Sequence, residues 1–104
     1  MKEKGDKMRI AIVDDESEVC AAVRDYLIHI LEKYWADQAS LEEVELFGTA
    51  EEMLDAFANR PYDLLLLDIR MPGLGGMEAA RRIRASSNDV GIIFLTSSEE
   101  YLME

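Results

Sequence analysis

Cysteine and histidine each occur only once in this 104-residue sequence, as Cys20 and His29. A single cysteine excludes an internal disulfide and any metal site built from several cysteines, and it suits a reducing compartment. With no second histidine, a histidine-based metal site or catalytic triad is not expected. Cys20 lies in a helical pattern, and we interpret it as a small buried hydrophobe rather than a nucleophile.

Positive charge is also scarce, since 11 Lys and Arg residues stand against 22 Asp and Glu residues, for a net charge of −11. Nucleic acids and anionic membranes both attract a positive field, so this domain is not expected to bind either of them. No apolar run approaches the roughly 20 residues of a membrane-spanning helix. The charged start, MKEKGDKMRI, lacks the apolar region of a secretion signal, and we expect a cytoplasmic protein.

Apolar residues make up 49% of the chain, which is enough for one small domain with a buried core. Two short apolar runs predict buried strands, residues 8–15 (MRIAIVDD) and 64–67 (LLLL), and residues 90–96 (VGIIFLT) predict a further strand. Residues 41–47 (LEEVELF) alternate instead, with Val44 and Leu46 opposite Glu43, Glu45 and Phe47. This alternation predicts a strand with one solvated face, at the edge of a sheet.

Helical patterns separate these strands. After the first strand, apolar residues at three- and four-residue steps predict one buried helix face: Val19, Val23, Tyr26, Leu27, Ile30, Leu31 and Tyr34. Thr49 and Glu52 have the spacing of a capping box that opens a short helix through Ala58. MPGLGG is predicted to be a loop, and MEAARRIRA a helix with Met77, Ala80 and Ile83 inward. A last helix is predicted to begin at Ser97 or Ser98.

Strands and helices that alternate with short connections predict a parallel sheet with helices on both faces, where ligands bind beyond the carboxyl ends of the strands. Those ends carry Asp14 and Asp15 after the first strand, Asp68 after the third and Thr96 after the fourth. Clustered carboxylates repel one another, and a divalent cation such as Mg²⁺ relieves that repulsion. The cluster therefore predicts a phosphoryl-transfer site in which a carboxylate attacks phosphorus.

Each aspartate taken alone also has a structural explanation. Acidic residues after a strand often cap the next helix and complement its dipole, and an aspartate four residues before a proline often marks only a turn. The convergence of these residues from three separate strand ends favours a functional site over either explanation.

Three segments, IAIVDDE, YDLLLLDIRMPGLGGMEAARRIR and IIFLTS, resemble the receiver domain of bacterial two-component response regulators. The resemblance extends from Met8 onward, and it includes the spacings of 53 residues from Asp15 to Asp68 and 28 from Asp68 to Thr96. It implies an α/β, flavodoxin-like, doubly wound parallel sheet, as in chemotaxis receivers, with strand order 2-1-3-4. The closing TSSEEYLME is weakly similar to receivers joined to LytTR-type DNA-binding domains.

The resemblance also implies a role for each residue of the cluster. Asp68 would accept a phosphoryl group from a sensor histidine kinase. Mg²⁺ would be held by oxygen atoms of Asp14, Asp15, Asp68 and the main-chain carbonyl of Arg70. Thr96 would hydrogen-bond a phosphoryl oxygen and shift position on activation, which would control an output domain, expected to be transcriptional and to contact DNA itself.

The resemblance is incomplete at the C-terminal end. Receivers continue to a fifth strand that carries a lysine and then to a fifth helix, whereas residues 97–104 contain no lysine. We therefore interpret residues 1–104 as one receiver domain without its last strand and helix, with residues 1–7 flexible. The apolar IIFL strand would then lie at an open edge, which favours dimerisation or aggregation.

Two other functions compete with that of a phosphorylation-controlled switch. One is a Mg²⁺-dependent phosphohydrolase with Asp68 as nucleophile, but enzymes of the haloacid-dehalogenase type place a second aspartate as general acid where Arg70 stands here. The other is an interaction domain that keeps the fold without phosphorylation. The missing lysine favours it, whereas the intact acid pair, acceptor and Thr96 disfavour it. We expect a signalling phosphoacceptor rather than an enzyme.

Overall fold

The computed structural model describes residues 8–34, 43–87 and 89–95. Four parallel strands form one sheet in the order β2-β1-β3-β4, which confirms the predicted order. The strands are β1 Ile10–Val13, β2 Val44–Phe47, β3 Leu64–Asp68 and β4 Gly91–Leu95. The helices that connect them are α1 Ser17–Tyr34, α2 Ala50–Asn59 and α3 Gly76–Ser86. None of these helices is long and apolar enough to cross a membrane.

The two central strands are buried on both faces, as the unbroken apolar runs predict. All four residues of β1 are inaccessible to solvent, and in β3 so are Leu65 and Leu67. One face packs in a cluster with side chains of α2 and α3, and the other face packs against α1. Each fully buried Leu or Ile contributes about 1.5–3 kcal/mol relative to an exposed one. These two layers of contact hold the carboxyl ends of β1 and β3 in place.

The start of α2 forms as the capping pattern predicts. The Thr49 side chain accepts a hydrogen bond from the Glu52 main-chain N–H at 3.2 Å, and its hydroxyl donates to Glu52 Oε1 at 3.0 Å. This arrangement satisfies one of the main-chain N–H groups that a helix leaves unpaired in its first turn.

Three residues that were predicted to face the core are exposed instead. Tyr26 and Tyr34 are each 69% exposed, and Met77 is 45% exposed. A helix of 18 residues is about 27 Å long, whereas a four-residue strand covers about 13 Å, so Tyr34 extends beyond the sheet. Tyr26 and Met77 line shallow apolar grooves on the β4 side, and within the described ranges no strand lies beyond β4.

The edge strand β2 also differs from its prediction. Phe47, expected on a solvated face, packs against the buried cluster and meets the ring of Tyr62 edge-on, with 6.1 Å between centroids. Val44 and Leu46 pack against the opposite cluster. The edge position is therefore confirmed, but a fully solvated face is not, because α2 and the segment before β3 cover the side that carries Phe47.

Arg9 joins three segments at the amino end of the sheet. Its guanidinium lies 4.5 Å from the ring centroid of Tyr62 and donates to the Pro61 carbonyl at 3.1 Å. It also lies 3.5 Å from a carboxylate oxygen of Glu43 and of Glu45 on the β2 side. The combined contacts connect the start of β1 to β2 and to the segment that leads into β3. No pattern in the sequence predicts this cluster.

Candidate functional site

Asp14 and Asp68 emerge side by side at the carboxyl edge of the sheet. Val13 of β1 is the register partner of Leu67 of β3, and both are fully buried. The residues that follow, Asp14 and Asp68, therefore lie next to each other at the end of two adjacent central strands. β4 continues the same edge, since Leu95 is the register partner of Asp68. Convergence of the first and third strand ends follows directly from this register.

Asp14 is 5% exposed, and it is the one buried charged residue among those that the structure describes. Its main-chain N–H donates to the Phe47 carbonyl at 3.1 Å, and its Oδ1 accepts from the Glu16 N–H at 2.9 Å. The second bond turns the chain from β1 into α1, while the side chains of Asp15 and Glu16 stay exposed.

Carboxylate oxygens of Asp14, Asp15 and Glu16 all lie within 4.8 Å of one another. Glu16 was absent from the residues predicted for the site. The signal that could have indicated it is its position directly after the acidic pair, where the turn into α1 brings its side chain back toward Asp14. The site thus contains more negative charge than the sequence reasoning assigned to it.

Asp68 is partly buried at the end of β3. Its Oδ1 accepts a hydrogen bond from the Arg70 N–H at 3.2 Å. Burial raises the pKa of its carboxyl above the ordinary 3.8, and the charges of Asp14, Asp15 and Glu16 raise it further, while the Arg70 N–H acts in the opposite direction. The raised pKa reflects the concentration of negative charge around this side chain.

Two main-chain N–H groups hold the connection from β3 to α3 in place. The Gly76 N–H donates to the Ile69 carbonyl at 3.2 Å, and the Leu74 N–H donates to the side chain of Glu51 on α2, at 3.4 Å from Oε2. Gly73 has a φ of 77°, a left-handed conformation that favours glycine. The predicted loop MPGLGG is one residue too long, because Gly76 already belongs to α3.

Cys20 lies beneath the site on α1 and is 3% exposed. Its thiol donates to the Asp14 carbonyl at 3.4 Å. Burial raises the pKa of this thiol, and the charge of Asp14 raises it further. The burial of Cys20 confirms its interpretation as a small buried residue, and a buried thiol whose anion is disfavoured is expected to be a poor nucleophile.

Some of the predicted features lie outside the described residues. These are Thr96, the last helix expected from Ser97 or Ser98, and residues 1–7. Arg70 is described and exposed, with its N–H directed to Asp68. That its carbonyl is a metal ligand stays a prediction.

The donor set fits Mg²⁺. Asp14, Asp15, Glu16 and Asp68 offer only hard oxygen atoms, the ligand type that this ion prefers. Burial and then the neighbouring carboxylates raise the pKa of Asp68, and the part of this shift that comes from crowded negative charge is what a bound cation would offset.

Comparison with known proteins agrees with this arrangement. The sequence model of the response regulator receiver domain matches residues 10–104. The regulatory protein LuxO of Vibrio vulnificus is 33% identical over 86 residues, which cover 83% of this chain and 17% of LuxO. The transcriptional regulatory protein RprY of Bacteroides fragilis is 31% identical over 97 residues, covering 93% of this chain and 37% of RprY. The chain thus spans less than half of these curated relatives.

Solved structures give the same result. The response regulator TrrA of Thermotoga maritima, in complex with Mg²⁺-BeF, superposes with a TM-score of 0.70 at 33% identity, covering 93% of this chain and 76% of TrrA. The BeF3-activated receiver domain of DrrB also gives a TM-score of 0.70, at 25% identity, with coverage of 93% of this chain and 74% of that domain.

Proposed function

Because this chain belongs to the response regulator receiver domain family, we propose that Asp68 is the residue on which it is phosphorylated. Receiver domains of two-component systems signal together with histidine kinases and output domains. The observation that carries the assignment is the position of Asp68, partly buried beside Asp14 at the carboxyl edge of the sheet. Burial raises the pKa of the Asp68 carboxyl, and the neighbouring charges of Asp14, Asp15 and Glu16 raise it further, so the acceptor lies where negative charge is concentrated.

The reaction is a transfer of a phosphoryl group from a kinase histidine to the Asp68 carboxylate. A carboxylate oxygen of Asp68 forms a bond to phosphorus while the bond between phosphorus and the imidazole nitrogen breaks. The imidazole leaves with the electron pair of that bond. Asp68 has to be ionised to attack. Its partial burial leaves the attacking oxygen less hydrated than on an open surface.

Asp14, Asp15, Asp68 and the main-chain carbonyl of Arg70 are proposed to hold Mg²⁺, with Glu16 close by. When bound, the ion supplies positive charge that offsets the charge of the carboxylates and of the phosphoryl oxygens. The Asp14 carboxylate is oriented by the Glu16 N–H, and that of Asp68 by the Arg70 N–H. These two main-chain donors orient both carboxylates before any ligand arrives.

The output of the switch is proposed to be transcriptional. Thr96 directly follows β4, and its side chain would hydrogen-bond the phosphoryl group on Asp68 and so couple phosphorylation to a change of the β4 end. RprY is named a transcriptional regulator, and this chain covers only part of it. We therefore propose a DNA-binding output domain for the full-length protein, and we expect this acidic domain to make no nucleic-acid contact itself.

The assignment is tested by phosphorylating the full-length protein with Mg²⁺ and a small acyl-phosphate donor. Intact mass spectrometry is expected to show one added phosphoryl group, which base or hydroxylamine removes. Asp68→Asn abolishes it, whereas Asp55→Asn, an exposed position on α2, leaves it unchanged. Labelling that survives Asp68→Asn would show that the acceptor lies elsewhere.

A further inference from the structure

Gly76, the first residue of α3, lies directly against the main chain of Asp68. A Cβ atom at position 76 would overlap the Asp68 carbonyl oxygen, and it would lie 3.0 Å from the Asp68 carbonyl carbon and 3.3 Å from Ile69 Cα. These are main-chain atoms, so no flexible side chain can rotate away to make room. A side chain at position 76 therefore requires either Asp68 or α3 to move.

Hydrogen bonds and burial hold the chain in place on both sides of this contact, so the residues around it cannot move to make room. The Gly76 N–H donates to the Ile69 carbonyl, and the Ile69 N–H donates to the Leu95 carbonyl, each at 3.2 Å. Before Asp68, Leu67 is fully buried between β1 and β4. On the helix side, Ile83 anchors α3 in the core and is 2% exposed. The displacement would therefore fall on residues 68 and 69, where the acceptor lies.

The requirement for glycine at this position comes from the close approach and not from the backbone angles. Gly73 is the one residue with a positive φ in the part of the chain that the structure describes. Gly76 has an ordinary helical conformation, in which alanine would normally be preferred over glycine. The absence of a side chain at this helical position thus needs another explanation, and the contact with Asp68 provides it.

We propose that Gly76 is a positioning residue for phosphorylation: by lacking a side chain, it lets α3 begin against the acceptor's own backbone and sets the direction of the Asp68 carboxylate. This proposal rests on the proposed function of Asp68. It adds a residue that has no side chain to offer to a metal or a phosphoryl group and that acts through the main chain of residues 68 and 69.

The test is a graded set of glycine-to-alanine variants in the full-length protein. A Cβ at Gly76 overlaps Asp68, one at Gly75 lies 3.1 Å from the Ile69 carbonyl oxygen, and one at Gly48 meets nothing within 4 Å. The rate of labelling by an acyl-phosphate donor is measured per folded molecule, with the folded fraction taken from urea unfolding. The labelling rate of Gly76→Ala is expected to be about 10²-fold lower than that of the wild type, which is the loss that a displacement of about 1 Å can cause. Gly75→Ala should be intermediate and Gly48→Ala close to the wild type.

The variant Ile83→Ala distinguishes a positioning role of Gly76 from a merely structural one. It loosens the same helix, but it makes no change next to residues 68 and 69. This variant should lose stability yet label at the wild-type rate per folded molecule. In metal-free protein, the amide resonances of Ile69 and Arg70 should shift in Gly76→Ala and stay in place in Ile83→Ala. This second measurement does not depend on phosphorylation.

Each outcome decides the proposal. Wild-type labelling rates and unshifted amides in Gly76→Ala overturn it while Asp68 keeps its function. If Gly76→Ala does not fold, Gly75→Ala decides, and a rate equal to that of Gly48→Ala overturns the proposal. If the wild type is labelled at a residue other than Asp68, the proposed function fails and this inference fails with it, even where the amide shifts confirm the contact.

Discussion

Asp14 and Asp68 directly follow paired residues of adjacent parallel strands, and burial together with the charge of Asp14 raises the pKa of the Asp68 carboxyl. The folded protein therefore holds the Asp68 proton to a higher pH than the unfolded chain does. Stability falls as pH rises through this interval, because the unfolded state then binds fewer protons than the folded state. In the absence of a metal ion, the ionised acceptor is thus a source of instability at neutral pH.

Replacing that charge should stabilise the metal-free protein. With a chelator present at neutral pH, Asp68→Asn is expected to raise the free energy of unfolding by about 0.5–2 kcal/mol, the usual gain from a single stabilising substitution. The gain should shrink as the pH falls through the pKa of Asp68, where the wild-type carboxyl becomes neutral. Urea unfolding over a pH series measures both effects. Asp55→Asn is the exposed control, and an equal gain there would contradict the explanation.

Mg²⁺ should reverse that instability. A ligand that binds only the folded state at a hundredfold excess over its Kd raises the free energy of unfolding by about 2.7 kcal/mol. Asp15→Asn removes one charge from the repelling cluster, so it should not lower metal-free stability, and it should weaken the Mg²⁺-dependent rise in Tm. Thermal unfolding with increasing Mg²⁺ measures this. A full Mg²⁺ effect in Asp15→Asn would remove that residue from the metal site.

The ionisation of the Tyr62 hydroxyl should report on the contacts that Arg9 and Glu45 make at the amino end of the sheet. Burial, a hydrogen bond to Glu45 and the charge of Glu45 raise its pKa from 10.0 to about 12. The stability that Tyr62 contributes is therefore complete below about pH 10 and is lost as the pH rises through about 12. Ultraviolet titration should show a tyrosine ionisation step near pH 12, and this step should be absent in Tyr62→Phe.

The variant Tyr62→Phe, with Tyr26→Phe as its control, measures the energy of the hydrogen bond between Tyr62 and Glu45. Tyr62→Phe is expected to destabilise the protein by about 1 kcal/mol, the net value of one hydrogen bond. Tyr26→Phe, at a position that is 69% exposed, should have little effect and should keep the late titration step. A late step that persists in Tyr62→Phe would refute the assignment.

Cys20 should react only when the protein opens. Its burial under Asp14 shields the thiol, and the raised pKa, caused first by burial, disfavours the reactive thiolate. Alkylation at mildly alkaline pH is expected to be slower than in urea by on the order of 10³ or more, in line with the folding equilibrium of small domains. Mass spectrometry of labelling over time measures this, and equally fast labelling in the folded protein would contradict the buried position.

Much of the fold was predictable because local pattern determines local structure. The unbroken run of leucines before Asp68 indicates a strand buried on both faces, and the capping pair Thr49 and Glu52 marks where α2 begins. Asp14, Asp15 and Asp68 could be placed at one edge because parallel strands all end on the same side of a sheet. Strand polarity does not choose among these carboxylates, and the choice of Asp68 as the acceptor comes from the resemblance to receiver domains.

Other features depend on contacts between distant segments, which local pattern does not encode. Tyr34 lies on the apolar side of its helical pattern, yet it is exposed because α1 is longer than the strands it packs on and extends past the end of the sheet. Phe47 alternates as a surface residue but meets Tyr62, and Arg9 joins strands that are far apart in the chain.

The sequence by itself therefore determined the elements, their parallel arrangement and which carboxylates share an edge, because periodicity and strand polarity are properties of the local chain. Only the tertiary structure decided how closely those elements approach. It placed Glu16 beside Asp14, and it brought Gly76 against the backbone of Asp68, where the start of α3 leaves no room for a side chain. Such distances result from the packing of whole elements against one another, so no residue pattern read along the chain contains them.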